Sequence, residues 1–206
     1  MDLLKIALSK GRILSETLEL FKKIQMDFEG VSEDSRKLFF DFEEYGVRMI
    51  LAKPSDVPTY VEYGVADIGV AGKDVLLENK NDVFELMDLK LAQCRMVVAV
   101  PDGRPLNTPI YRVATSYPCI AEEHFVKQGF PIEVIKLHGS VELGPVLGLS
   151  DAIVDIVSTG KTLEKNHLKI LEEICPISSR LIANQVSFRI KSDVIMKLME
   201  KLKEVV

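Results

Sequence analysis

The chain has 206 residues, 47% of them hydrophobic and 28% charged, with a formal net charge of −5; that length can bury roughly 70% of the unfolded surface without a covalent staple. Three widely spaced cysteines without a CxxC pair argue against a disulfide framework or a thiolate zinc site and suit a reducing cytoplasm. The acidic balance argues against broad nucleic-acid binding, and no apolar run approaches the roughly 18 residues of a membrane span.

The N-terminal MDLLKIALSKGR carries an acidic Asp2 and lacks a small-residue cleavage site, so it is not read as a secretory signal. Leu3 to Leu8 reads as a strand, and Ser9-Lys10-Gly11-Arg12 turns into a helix with Ile13, Leu14, Leu18, Phe21 and Ile24 at helical spacing. Cations at Lys10 and Arg12 oppose the dipole of that helix start unless an anion binds there. Lys37 to Phe42 and Val47 to Ala52 read as a hairpin. Pro54 to Tyr63 reads as a short helix closed by Gly64, followed by a strand at Ala66 to Val70 and a helix from Lys73 or Asp74.

Strands are expected at Val83 to Leu91 and Cys94 to Val100, with the first crossing between two halves near Leu89 to Gln93. Further elements follow at Tyr111 to Ala114, Pro118 to Gln128, Pro131 to Leu137 and Val141 to Leu147. Ala152 to Val157 is nearly all apolar, as expected of a parallel strand covered on both faces. A strand after Pro176 returns the chain to the first half, where the final helix from Ser192 packs. The expected domains are therefore 1–90 plus 180–206, and 91–179.

The richest stretch is DAIVDIVSTGKTLEKN, from Asp151. Ser158-Thr159-Gly160-Lys161-Thr162 places three hydroxyls, a glycine, an ammonium and backbone N–H groups at a helix N-terminus, which suits a phosphate. Alone, such a turn is more often only turn and cap chemistry. A P-loop fails, because GxxxxGK[ST] needs a glycine where Asp155 stands. An acid in the strand followed by this turn suits a phosphorylated sugar, and phosphoribosyl pyrophosphate combines the features. DIGVAGKD, from Asp67, repeats the pattern of DIVSTGKT, from Asp155, and suggests two similar α/β halves.

Glu142 and Asp155 lie in neighbouring βα units, where both can reach one site at the strand ends. Each alone reads as structural; together with the turn they become candidates for sugar hydroxyls or a magnesium ion. His124, His138 and His167 are scattered without ligand-spaced partners. No GxSxG or Cys/His pattern points to a covalent nucleophile.

LSKGRI, SDVPTYVEYGVADIGVAGKDVL, CRMVVAVP, RVATSYP and GSVELGPVLGLSDAIVDIVSTGKTLEKN resemble, almost end to end, the ATP phosphoribosyltransferases that open histidine biosynthesis. The resemblance implies an α/β, two-domain periplasmic-binding-protein-like (type II) fold with the active site in the interdomain cleft. It implies ATP and phosphoribosyl pyrophosphate as substrates, Mg²⁺ as cofactor and a cytoplasmic enzyme without a covalent catalytic residue. The phosphoribosyl pyrophosphate ligands would be Glu142, Asp155, Ser158, Thr159, Gly160, Lys161 and Thr162, with Glu142 or Asp155 also on the metal side. Lys10, Gly11, Arg12, Lys53 and Arg95 would face ATP and the polyphosphates. The stop at Val206 resembles the short form, expected as a homodimer alone and as a hetero-oligomer with a histidyl-tRNA-synthetase-like regulatory subunit. No nucleic-acid or membrane partner is expected. A solute-binding module and a phosphoribosyltransferase with another acceptor remain the alternatives.

Overall fold

The computed structural model describes residues 3–105 and 108–206; Asp2, used above against a secretory signal, lies outside them. The chain divides into two compact units, one of Met1–Leu76, Lys80–Ala92 and Ser178–Val206, the other of Leu77–Asn79 and Gln93–Ile177. The main exchange points lie two residues inside the expected 91–179 at each end. The cause is a backbone lacing of the two crossing segments: the Leu89 N–H donates to the Ser179 carbonyl at 2.9 Å and the Ser179 N–H to the Leu91 carbonyl at 3.0 Å.

The first unit opens with β1 (Leu4–Ser9), α1 (Arg12–Lys23), β2 (Phe39–Phe42), β3 (Val47–Ala52), α2 (Val57–Glu62), β4 (Ile68–Gly72), α3 (Lys73–Asn79) and β5 (Phe84–Asp88). The expected helix at Pro54 to Tyr63 is split, because Pro54–Asp56 forms a 3-10 turn ahead of α2. The second unit follows with β6 (Cys94–Pro101), β7 (Arg112–Thr115), α4 (Pro118–Lys127), β8 (Glu133–Lys136), α5 (Leu143–Val146), β9 (Ala152–Val157), α6 (Lys161–Lys165) and β10 (Leu168–Ile177). The chain then returns to the first unit as β11 (Ser179–Ala183), α7 (Gln185–Ile190) and α8 (Ser192–Lys203).

The first sheet runs β2-β3-β1-β4-β11-β5, with β1 parallel to both neighbours and β11 antiparallel to β4 and β5. Central β1 is buried on both faces. Ile6 and Leu8 pack with Leu14 and Phe21 of α1 and with Ile195, Leu198 and Leu202 of α8; Ala7 packs with Val57 and Val61 of α2 on the other side. The α8 residues recur at the i, i+3, i+7 spacing of one helix face. Burying each large aliphatic side chain contributes roughly 1.5–3 kcal/mol.

The second sheet runs β10-β6-β9-β7-β8. One face packs Met96, Val98 and Val154 against Ile120 and Phe125 of α4, and the other packs Val97, Ala99 and Ile153 with Val141 and with Leu163 of α6. The expectation for β9 needs correction. It is parallel to β7 but antiparallel to β6, and its far end is not covered on both faces, since Ile156 is exposed. Its apolar run reflects a central position in a mixed sheet. Among the described residues no helix is long and apolar enough to cross a membrane.

Candidate active site

The second unit gathers most of the expected phosphoribosyl ligands around the end of β9. The strand stops at Val157, and Ser158 to Gly160 form a short loop whose glycine caps α6 in the left-handed region, at φ 80°. A Cβ at Gly160 would meet nothing within 4 Å, so the turn is open on the side where a side chain would project. No side chain caps α6, and the first-turn N–H groups of any helix lack partners within it. Glu142, Asp155, Ser158, Thr159, Gly160 and Thr162 line one cavity of about 310 Å³ at this turn. Lys161 is exposed and lies outside that lining.

Glu142 reaches the cavity because α5 lies very close to the sheet. A Cβ on Gly144 would come within 2.6 Å of the Ser150 hydroxyl and 2.7 Å of the Ala114 methyl, so a larger residue would lift the helix off β7. Asp155 accepts the Ile156 N–H at 2.8 Å through Oδ1. Arg95 stands opposite Val157, and Val97 opposite Asp155. Residues two apart on a strand share a face, so Arg95 lies on the same sheet face as Asp155. Its guanidinium is 3.2 Å from Glu173.

The remaining candidates cluster at the carboxyl ends of β1 and β3 in the first unit. Ser9 pairs with Ala52, so Lys10 and Lys53 leave adjacent strands side by side. The Lys10 ammonium donates to the carbonyls of Glu33 at 3.1 Å and Ser35 at 2.7 Å, partners that no local pattern in the sequence announces. Gly11 caps α1 at φ 96° without a side-chain hydrogen bond, and no acid stands in the first turn. Lys53 is exposed. The Arg12 Nε donates to Glu16 at 2.6 Å. Glu16 escaped the sequence reading, although Arg-x-x-x-Glu at i, i+4 is the spacing of a helix-face pair. Burial raises the pKa of Glu16, but the Ala92 N–H and Arg12 together outweigh it and hold the carboxyl below its ordinary value.

The sequence model of the family described as HisG: ATP phosphoribosyltransferase matches residues 53–204. An ATP phosphoribosyltransferase of Geobacillus sp. (strain WCH70) is 50% identical over 204 residues, covering 99% of each chain. In the solved ATP phosphoribosyl transferase (HisG:HisZ) complex from Thermotoga maritima, one chain aligns at a TM-score of 0.84 and 38% identity, over 98% of both chains. An ancestral arginine-binding protein bound to arginine aligns at a TM-score of 0.63 with 14% identity, over 99% of this chain and 92% of its own. That likeness concerns the fold alone, which is α/β and of the two-domain, type II periplasmic-binding-protein kind. By sequence along its whole length, the chain belongs to the ATP phosphoribosyltransferase family.

Proposed function

We propose that this chain transfers the 5-phosphoribosyl group of phosphoribosyl pyrophosphate to N1 of the adenine of ATP, releasing pyrophosphate, as the first step of histidine biosynthesis in the cytoplasm. The observation that carries the reading is the cavity at the Ser158–Thr162 turn, bordered by Glu142 and Asp155, in a chain of this family. The adenine N1 lone pair forms the bond to C1′ while the bond from C1′ to the pyrophosphate oxygen breaks, with inversion. No general base is needed to create that nucleophile. Catalysis then rests on aligning two anionic substrates and stabilising the departing charge.

The turn Ser158 to Thr162 holds the 5′-phosphate with backbone N–H groups and hydroxyls, and the open face at Gly160 admits it. Glu142 and Asp155 receive the ribose hydroxyls. Lys10, Gly11, Arg12, Lys53 and Arg95 face the polyphosphates. Among the described residues no group of three or more His, Cys, Asp or Glu gathers into a metal cage. Two carboxylates at one cavity still fit Mg²⁺, which commonly takes one or two protein carboxylates and completes its shell with substrate phosphates and water. Glu142 or Asp155 would hold it. The chemistry such an ion would supply there is positive charge opposite the leaving pyrophosphate.

The Thermotoga maritima relative is solved in a HisG:HisZ complex, which supports a hetero-oligomer of this chain with a HisZ-like, histidyl-tRNA-synthetase-related regulatory subunit; alone, the chain is proposed to be a homodimer. The test is to incubate the purified chain, with and without a HisZ-like subunit, with ATP, phosphoribosyl pyrophosphate and Mg²⁺. Mass spectrometry should find a phosphoribosyl-ATP adduct and stoichiometric pyrophosphate. Pyrophosphate release without adduct, or no turnover in either preparation, contradicts the reading.

A further inference from the structure

Glu16 connects two features that are 80 residues apart in sequence, Arg12 at the start of α1 and Ala92 at the end of the segment leaving the first unit. One carboxylate oxygen accepts from the Arg12 Nε at 2.6 Å, and the other accepts from the Ala92 N–H at 2.6 Å. Ala92 is held in the left-handed region, at φ 48°, as is Lys90 at φ 53°. A non-glycine residue stays in that region only where its surroundings over-determine it. The surroundings are identifiable: the Lys90 N–H donates to Asp88 at 2.9 Å, Asp88 also accepts from the Ser178 hydroxyl at 2.8 Å, and Glu16 takes the Ala92 N–H. An exposed i, i+4 ion pair alone contributes little. Here the carboxylate also accepts a backbone N–H from 76 residues away, and its two oxygens are committed to different partners.

We propose that Glu16 is a positioning residue for the transfer reaction: it orients the Arg12 guanidinium for the polyphosphate of its substrate and ties that orientation to the backbone at Ala92. The proposal rests on the reading of Arg12 as a polyphosphate ligand given above. A flexible arginine must otherwise be ordered when substrate binds, and an arginine held in place loses less freedom on binding. Because one carboxylate serves both partners, loosening the Ala92 segment also loosens Arg12.

The experiment is a double-mutant cycle on the full chain, in its regulatory complex if turnover requires it, with Glu16→Gln, Arg12→Ala and the pair. KM for ATP and for phosphoribosyl pyrophosphate, kcat and the melting temperature are read for each. Glutamine keeps the shape and one carbonyl acceptor but turns an amide toward the second donor. Glu16→Gln is expected to raise the KM of the substrate that Arg12 meets by roughly tenfold with kcat changed less than about twofold. In the Arg12→Ala background the same substitution should leave KM unchanged. Glu16→Asp, one methylene too short to reach both partners, should reproduce the KM effect and serves if the glutamine variant does not fold. A purely structural Glu16 would lower the melting temperature without a KM effect, or raise KM equally in both backgrounds, and either result overturns the proposal. If Arg12→Ala alone leaves both KM values unchanged, the assignment of Arg12 itself has failed and the proposal falls with it.

Discussion

The segments entering α3 and α6 share Asp-Ile followed by Gly-Lys at the same spacing, yet one is closed on itself and the other is open. The glycines do correspond, since Gly72 caps α3 and Gly160 caps α6. The aspartates do not. Asp67 precedes β4, with its N–H on the Lys5 carbonyl at 2.9 Å and its carboxylate accepting the Lys5 N–H at 2.8 Å. Asp151 does the same ahead of β9, with its N–H on the Arg112 carbonyl at 2.8 Å and its carboxylate accepting the Arg112 N–H at 2.9 Å. In each unit the acid ties the start of one parallel strand to the next. Asp67 thus matches Asp151, and the second unit has four more residues between this acid and the glycine. The longer stretch of the second unit contains Asp155 and leads into the loop.

The first turn spends its donors on the protein. The Lys73 N–H donates to the Ser178 carbonyl at 3.0 Å, and Asp74, which stands where Thr162 stands in the second turn, is buried. A Cβ on Gly72 would run into the Asp74 carboxylate, and an acid in the first turn of a helix opposes any arriving anion. In the second turn a threonine replaces the acid and the space beside the glycine is empty. A shared pattern therefore gives a filled corner beside Gly72 in one unit and an open turn beside Gly160 in the other.

The largest test of the contrast is at the acids. Asp67 is buried and is held by the Lys191 ammonium at 2.8 Å and the Ser187 hydroxyl at 2.7 Å. Asp67→Ala removes the acceptor of the Lys191 ammonium, the Ser187 hydroxyl and the Lys5 N–H, leaves that ammonium on the Leu3 carbonyl at 3.3 Å, and should lower stability by about 3 kcal/mol, read by urea denaturation. Asp155→Ala should leave the unfolding midpoint nearly unchanged and impair turnover instead. Equal destabilisation by the two would erase the distinction.

Next come the glycines. Gly160→Ala introduces left-handed strain of about 1–2 kcal/mol and a methyl on the side proposed for the phosphate, so phosphoribosyl pyrophosphate affinity should drop on the order of a hundredfold by calorimetry. Gly72→Ala has no φ penalty and meets only the carboxylate end of the Asp74 side chain, which must turn aside, costing about 1 kcal/mol in stability with affinity retained. Thr162→Ala removes one hydroxyl proposed to bond the phosphate and should weaken the same ligand roughly ten- to a hundredfold, whereas ATP affinity should hardly change.

The smallest effect is a pH dependence at Asp151. Burial pushes its carboxyl up, but the Arg112 and Tyr111 N–H groups and Arg104 outweigh that and hold it below the ordinary value. A carboxyl depressed on folding stabilises the fold above its unfolded pKa of about 3.9, and the contribution disappears as pH falls through the lower folded pKa. Asp151→Asn should melt below the wild type at pH 7, with the gap narrowing below about pH 4. A gap independent of pH would assign the effect to lost geometry rather than charge.

Much of the local structure was legible. Ala152 to Val157 and the helix start at Ser192 match residue for residue, because apolar runs and periodic faces are short-range signals. The strand order, the antiparallel pairing of β6 with β9 and the true counterpart of Asp67 were not legible. Each depends on partners brought in by the fold, as Lys191 is brought to Asp67 across 124 residues. The sequence singled out the turn at Ser158–Thr162 by its chemistry, but only the fold distinguishes its empty side from the filled one at Gly72.

The most direct test follows the backbone amides of the ¹⁵N-labelled chain by NMR as ribose 5-phosphate is added. The amides of Ser158 to Thr162 should shift saturably and together, while those of Gly72 to Asp74 stay still. Silence at Ser158 to Thr162 with saturable shifts elsewhere, or equal shifts at both turns, would contradict the assignment of the open turn as the 5′-phosphate site.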